Sequence, residues 1–307
     1  MHNEKLAIII PTKDRPDKLN QLLKSISQQD IKPSQVIIID GSILSITGVL
    51  KEFPDLEIDY IKAIGSLTTK RNIGIKKLKD EITLVIFFDD DIILEKDSFR
   101  KMLDFWLGTS ENTAGASFNI ISQICRKPSL LEKVFVVNTD IPGKILRSGF
   151  QTKFYSLDKT REVNWLFGGA TVWRKWLFEK LQFDERFSDY GLFEDVDFSY
   201  RAGKEYRLFV VADAKVRHNS ESEKIDESFK FGKMQFENRL YFVKKNPELS
   251  IPLCYWALSG LFLNNILKGI VGRDSRYINR AKGNIAGFIS NLTELFHQRE
   301  RCQRAKI

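Results

Sequence analysis

The chain is poor in the residues that staple or interrupt a fold. Cysteine occurs three times in 307 residues, at Cys125, Cys254 and Cys302, with no paired spacing. That pattern excludes a disulfide framework and a zinc site of the C-x-x-C kind. Eighteen glycines and eight prolines, in no Gly-, Ser- or Pro-rich run, exclude a collagen-like or low-complexity chain. There is no internal repeat. The glycine signatures of nucleotide loops are missing as well: neither G-x-x-x-x-G-K nor G-x-G-x-x-G occurs, which argues against a P-loop or a dinucleotide fold. The opening Met-His-Asn-Glu-Lys leads into a five-residue apolar run closed by Pro11. A signal-peptide core needs roughly 7–15 apolar residues, so a reducing cytoplasm is expected.

What is present is the composition of a globular protein: 43% hydrophobic and 29% charged residues, enough for one large domain or two modest ones. The net charge of +8 is unevenly placed. From Asn246 onward there are nine Lys/Arg and four Asp/Glu. This basic tail is also rich in Leu, Ile, Phe and Trp and carries no DNA- or RNA-binding signature, so a membrane surface is favoured over nucleic acid.

The N-terminal third alternates strands with helices. Leu6–Ile10 and Val36–Ile39 are continuous apolar runs of the kind buried on both faces of a parallel sheet. Between them Asp14 is expected to cap a helix with Pro16 in its first turn and Leu19, Leu22, Leu23 and Ile26 on one side. Strands near Leu56–Ile61 and at Thr83–Phe88 flank a helix around Thr68–Leu78. Each strand ends on a polar or special residue: Pro11-Thr12, Asp40-Gly41-Ser42 and Asp89-Asp90-Asp91. In an open parallel sheet ligands bind outside these carboxyl ends, so the clusters are expected to share one crevice.

Three adjacent carboxylates repel one another, and a hard divalent cation such as Mg²⁺ or Mn²⁺ relieves that repulsion while bridging to phosphates. On extended backbone Asp89 and Asp91 point the same way. Lys70 and Arg71, ahead of Asn72, can neutralise phosphate or can be ordinary first-turn helix residues. A second acidic cluster, Glu194-Asp195 with Asp197, follows Ser188-Asp189-Tyr190-Gly191 and opens an amphipathic helix. Asp197 and Arg201 are expected to pair four residues apart, whereas Glu194 and Asp195 sit among apolar neighbours where a desolvated carboxylate can act as general base. Gly168-Gly169 permits close approach of a ligand, or is a strand bulge. His218 ends the strand-like run Val210–Val216 and gains meaning only if folding brings it to the acidic triplet.

In order along the chain, IIIPTKDRPDKL, VIIIDGS, GSLTTKRNIGI, VIFFDDDI, FGGATVWR, FDERFSDYGLFEDVDFSYRAG and KVRH resemble the family-2 glycosyltransferases. They span Ile8 to His218, about two thirds of the chain. The resemblance implies an α/β GT-A fold, Rossmann-like, with a mostly parallel central sheet flanked by helices. It also implies an inverting transferase that moves a sugar from a nucleotide-diphosphate sugar, UDP by default, to an acceptor hydroxyl with Mn²⁺ or Mg²⁺.

Carried across, Pro11, Thr12 and Asp40 hold the nucleoside, with Arg15, Lys70, Arg71, Asn72, Asp89 and Asp90 completing the donor site. Asp91, with Asp89 in a DXD pattern and His218, ligates the metal. Asp195 is the base, Glu194 positions the acceptor, and Gly168 and Gly169 lie beside it. The segment Glu111–Asn164 aligns with nothing in the family and is expected to shape acceptor specificity. A sugar nucleotidyltransferase is the competing enzyme reading, and a non-catalytic glycan-binding protein on a transferase fold is the other.

The expected organisation is a catalytic domain over 1–245, with a nucleotide-binding half (1–108) and an acceptor half (109–245), and a helical extension over 246–307. Leu249–Leu267 carries no charge for 19 residues but contains Pro252, Ser259, Gly260, Asn264 and Asn265, which weakens a transmembrane reading. Ile278, Ala281, Ile285, Phe288, Leu292 and Leu295 recur at helical spacing. That stripe fits a basic helix lying on a membrane surface or one packed in the protein or a homodimer. A peripheral protein of the cytoplasmic membrane face, acting on a lipid-linked or cell-surface glycan, is the corresponding expectation.

Overall fold

The computed structural model describes residues 4–122, 127–154, 156–188, 191–219 and 227–304, with side chains up to 293. Cys125, the Asp189-Tyr190 pair, residues 220–226 and the side chains of Leu295 and Cys302 lie outside the described residues. The chain forms two compact units, one of residues 1–126, 142–144 and 153–220, the other of residues 127–141, 145–152 and 221–307.

The first unit begins with the expected alternation: β1 (Leu6–Thr12), α1 (Pro16–Ser27), β2 (Gln35–Asp40), the short α2 (Thr47–Leu50), β3 (Ile58–Lys62), α3 (Leu67–Ile75) and β4 (Leu84–Phe88). Every residue of β1, β2 and β4 is buried, as their unbroken apolar runs require. Helix α1 lays Leu19, Leu22, Leu23 and Ile26 on the core. Its N-cap is Arg15 and no side chain caps it, so Asp14 does not take the capping role expected of it. Asp14 sits in left-handed backbone (φ 53°) and its carboxylate accepts from Ile43 N instead, tying the loop after β2 to the start of α1.

The unit continues through β5 (Ile92–Leu94), α4 (Ser98–Gly108) and β6 (Thr113–Ile120). After α5 (Leu130–Val134), which belongs to the second unit, come β7 (Arg161–Val163), β8 (Ala170–Arg174), α6 (Leu177–Lys180), α7 (Glu194–Gly203) and β9 (Arg207–His218). The nine strands make one sheet in the order β3-β2-β1-β4-β8-β6-β9-β5, with β7 also on β9. Pairing directions set β1, β2, β3, β4, β6 and β9 running one way and β5, β7 and β8 the other, so the sheet is mostly parallel. A core of Ile8, Ile10, Val36, Ile38, Phe88, Phe99, Phe118 and Trp106 fills one face, each large side chain contributing roughly 1.5–3 kcal/mol by leaving water.

Two registers position the site. Thr12, Asp40 and Lys62 are cross-strand neighbours at the carboxyl ends of β1, β2 and β3. Antiparallel pairing places Ala170 opposite Phe88 and His218 opposite Ile92. Gly168-Gly169 and His218 therefore flank the acidic triplet on either side.

The second unit is helical. Helix α8 (Ser228–Lys245) packs with α9 (Ile251–Val271) and α10 (Ser275–Arg304), so α8 groups with the helices beyond 245. Glycines permit the close approach: a Cβ on Gly232 would stand 2.2 Å from Arg280 O, and one on Gly283 2.1 Å from Phe229 O. Asn265 donates to Asn284 (3.0 Å), which donates to Gly232 O (2.7 Å), stitching the three helices with buried polar bonds. Among the described residues of the expected apolar stripe on α10, Ala281 alone is fully buried. Ile285 and Leu292 remain exposed because Gly283, Asn284 and Gly287 face inward, and Phe288 is partly exposed with its ring against Phe236 and Tyr255. Among the described residues no helix is long and apolar enough to cross a membrane.

Candidate active site

Helix α3 explains how distant parts of the first unit meet. Ser66 caps it by accepting from Thr69 N. The helix then buries an unusual face made of Thr68, Lys70, Arg71, Asn72 and Gly74. Gly74 lets it press on β1, since a Cβ there would meet Ile9 Cγ2 at 2.5 Å. Lys70 and Arg71 are thus not solvated first-turn residues. Lys70 Nζ donates to Thr12 O (2.9 Å), in a space left by the missing side chain of Gly41. Burial lowers the pKa of Lys70, with nearby Asp40 acting in the opposite direction.

Arg71, 1% exposed, is the hub. One guanidinium nitrogen donates to Glu194 Oε1 (2.6 Å), the other to Asp89 Oδ1 (3.2 Å) and Gly168 O (3.1 Å). Phe87 and Phe183 lie across its faces at 5.6 and 5.3 Å. Burial works against its charge, but Glu194, Asp89 and Asp195 outweigh it and hold the guanidinium protonated. One buried cation therefore ties the acidic triplet to the second acidic cluster.

At the triplet the chain turns instead of running extended as expected, Ile92 N donating to Asp89 O (3.2 Å), and the turn still directs Asp90 away from Asp89 and Asp91. Asp90 turns toward β1, where Thr12 Oγ1 donates to it (2.8 Å) and Arg15 lies at 3.3 Å. Burial raises its carboxyl to about 6 against the pull of Thr12 and Arg15. Asp89 and Asp91 turn the other way and meet His218, with one donor atom from each within 4.8 Å of the others. His218 Nε2 stands 3.1 Å from Asp91 Oδ1, yet that buried oxygen accepts no hydrogen bond of acceptable geometry. Two carboxylates and an imidazole that converge without satisfying one another fit a divalent cation. Phe167 braces the His218 ring at 5.5 Å.

The second cluster is set by strained backbone. Phe193 adopts φ 82°, uncommon for a bulky residue, immediately before α7. Glu194 is buried, and while Oε1 takes the Arg71 bond, Oε2 has no hydrogen-bond partner among the described residues. Burial raises its pKa well above the ordinary glutamate value, against the pull of Arg71. Asp195 is only partly buried, and its Oδ2 accepts from Gly168 N (3.0 Å) while Oδ1 accepts from Val196 N (2.8 Å). Desolvation raises its pKa despite those bonds. Asp197 forms the expected pair with Arg201 (2.9 Å). Gly168 and Gly169 sit against the acids themselves: a Cβ on Gly168 would meet Asp195 Cβ at 2.7 Å, and one on Gly169 would meet Asp89 Oδ2 at 2.4 Å.

Two expected donor residues are engaged inside the protein. Asp40 is fully buried and accepts from Ser42 N (2.7 Å), Tyr60 OH (2.8 Å) and Lys62 Nζ (2.9 Å). Asn72 holds the segment before α7 by bonding Phe183 in both directions and Glu185 Oε1. Pro11 is buried at the end of β1. Tyr60, Lys62, Phe167, Phe183 and Glu185 were not singled out in the sequence. Tyr60 and Lys62 had a signal in their alternation at the end of a strand that pairs with β2, and Phe167, Phe183 and Glu185 lie within the motifs FGGATVWR and FDERFSDYGLFEDVDFSYRAG, where no role was given to them.

A mostly parallel α/β sheet flanked by helices, with a carboxylate–histidine triad at the carboxyl ends of its strands, is the arrangement of a GT-A-type protein. The glycosyl transferase family 2 model matches residues 7–169, more than half of the chain, and the chain belongs to that family. YwdF of Bacillus subtilis (strain 168), named an uncharacterized glycosyltransferase, is 23% identical over 218 residues, covering 66% of this chain and 70% of the relative. Among solved structures, S. aureus TarS 1–349 has TM-score 0.52 at 14% identity, covering 92% of this chain and 91% of that one. Its complex with UDP-GlcNAc has TM-score 0.51 at 13% identity over 91% and 90%. GalNAc-T7 with UDP, GalNAc and Mn²⁺ has TM-score 0.55 at 13% identity, covering 88% of this chain and 58% of that one. These structural likenesses establish the fold.

Proposed function

We propose that this glycosyltransferase uses a nucleotide-diphosphate sugar, with UDP as the nucleotide, and transfers the sugar with inversion to an acceptor hydroxyl. The observation that carries the reading is the Arg71 bridge, which joins the cation-binding triad to the Glu194-Asp195 pair within one unit. The UDP complexes of TarS and GalNAc-T7 support the choice of donor. The acceptor is a glycan or lipid-linked saccharide, in keeping with the apolar, basic helices of the second unit.

Asp195 is the base. Its partial exposure admits an acceptor, and the bonds from Gly168 N and Val196 N fix its orientation. It removes the hydroxyl proton as the oxygen attacks the face of the sugar opposite the diphosphate, through an oxocarbenium-like transition state. The Oε2 of Glu194, unengaged among the described residues, holds the acceptor hydroxyl, while the Arg71 bond to Oε1 aims that carboxyl group. Asp89, Asp91 and His218 would hold a divalent cation, which supplies Lewis-acid neutralisation of the departing diphosphate. Thr12 and Arg15 set the floor of the donor site by fixing Asp90.

The test is hydrolysis of UDP-sugars by the full chain with Mn²⁺. Slow release of UDP that vanishes in Asp91→Ala supports transfer chemistry. Pyrophosphate release from UTP and a sugar phosphate would replace this reading with a nucleotidyltransferase.

A further inference from the structure

Helices α9 and α10 are amphipathic in the wrong sense for a face turned to water. The inward residues of α9 are Cys254, Ala257, Leu258, Gly260, Asn265 and Gly269, while Leu263, Leu267, Ile270 and Val271 face out. On α10 the inward residues are Ala281, Gly283, Asn284 and Gly287, while Ile285, Ile289 and Leu292 face out. Apart from Leu258 and Phe288, whose ring packs on Phe236 and Tyr255, small and polar residues lie inside and large apolar ones outside, the reverse of the usual distribution. Exposure is greatest where the two helices join, with Ile270 at 66% and Val271 at 82%. Between Leu249 and Thr293 there are five cations, Lys268, Arg273, Arg276, Arg280 and Lys282, against one acid, Asp274. That acid is bonded to Arg276.

We propose that the α9–α10 hairpin of the second unit docks on the surface of an anionic lipid bilayer, its outward apolar residues entering the headgroup boundary. The occupant follows from charge. A two-fold dimer through this face would set its cations against the same cations of the second copy. An anionic bilayer supplies the opposite charge and an apolar layer within reach of Ile270, Val271 and Leu267. The proposal does not depend on the transfer chemistry.

The experiment is flotation of the full chain with vesicles of phosphatidylcholine mixed with phosphatidylglycerol, against phosphatidylcholine alone, at low and high salt. Expected is flotation with the mixed vesicles that weakens in high salt. The pair Ile270→Asp and Val271→Asp should abolish it. Arg273→Gln and Lys282→Gln should each weaken it on the order of fivefold. Melting temperature and UDP-sugar hydrolysis in solution serve as controls. Should the aspartate pair unfold the chain, the glutamine variants carry the test alone. Failure to float with anionic vesicles, or flotation undiminished in the variants, overturns the proposal. So does a concentration-dependent doubling of mass that the aspartate pair dissolves, which would assign the face to a second copy.

Discussion

Arg71 carries more of this molecule than its place in a short helix suggests. A buried guanidinium shared by two carboxylates is costly to break, because removal leaves charges without compensation. Arg71→Ala should therefore lower stability by about 3–5 kcal/mol in denaturant unfolding. Arg71→Lys keeps the charge but not the fork, and should preserve more stability than catalysis. Asp195→Asn should reduce kcat by roughly 10²–10⁴-fold while leaving the UDP-induced rise in melting temperature intact. Full activity in that variant would remove Asp195 from the chemistry. Because desolvation raises the Asp195 pKa, the base proposed here is lost to protonation as pH falls through a value above 3.8. The acidic limb of kcat, measured at saturating Mn²⁺, should lie above that value. Asp40 has the opposite sign. Burial raises its carboxyl, but bonds from Ser42, Lys62 and Tyr60 prevail and hold it below 3.8. Its contribution is complete above that pH and is lost as pH falls through the lower folded value. Asp40→Asn should cost about 1–3 kcal/mol at neutral pH, with the gap to the native chain closing in strong acid.

At the scale of elements, the site depends on close approaches that only glycine allows. Gly168→Ala forces a Cβ into Asp195 Cβ at 2.7 Å and Arg71 Nη1 at 2.9 Å. It should destabilise by about 1–3 kcal/mol and reduce transfer at least tenfold in a steady-state assay. The same logic governs α8 and α10, where Gly283 lies against the backbone of Phe229 and Lys233. Gly283→Leu should splay those helices and lower the melting temperature without touching the Arg71 network. The left-handed Phe193 belongs to this scale too: strained backbone of order 1–3 kcal/mol starts α7 so that Glu194 meets Arg71 of α3 and Asp195 meets the backbone of Gly168.

For the molecule as a whole, the charge ledger and the metal triad set the linked equilibria. A ligand that binds only the native state raises the melting temperature by mass action. UDP should do so strongly with Mn²⁺ and weakly after chelation, and Asp91→Ala should erase the difference. A shift equal with and without the cation would mean that the triad does not serve the diphosphate.

How much of this was legible beforehand follows from the range of each interaction. Buried parallel strands were visible because β1, β2 and β4 are unbroken apolar runs, whereas the grouping of Asp89 with Asp91, expected from extended backbone, is produced by a turn from Asp89 to Ile92. Those are local signals, set by backbone period and hydrophobicity within a few residues. The helical stripe of α10 was local as well and misled in part: Phe288 packs its ring on Phe236 and Tyr255, but Asn284 and the glycines around it take the inward positions, and Ile285 and Leu292 stay exposed. Contact between Arg71 and Glu194 spans 123 positions, and nothing near either residue encodes it. Whether a buried charge binds substrate or holds another side chain depends on which groups share its low-dielectric surroundings, and those are assembled only when α3, β4, β8 and α7 pack together. The amino-acid order thus determined the strands, the acids and the family. Tertiary packing decided that Arg71 and Asn72 face inward, that Asp40 is held by Tyr60 and Lys62, and that His218 reaches Asp91.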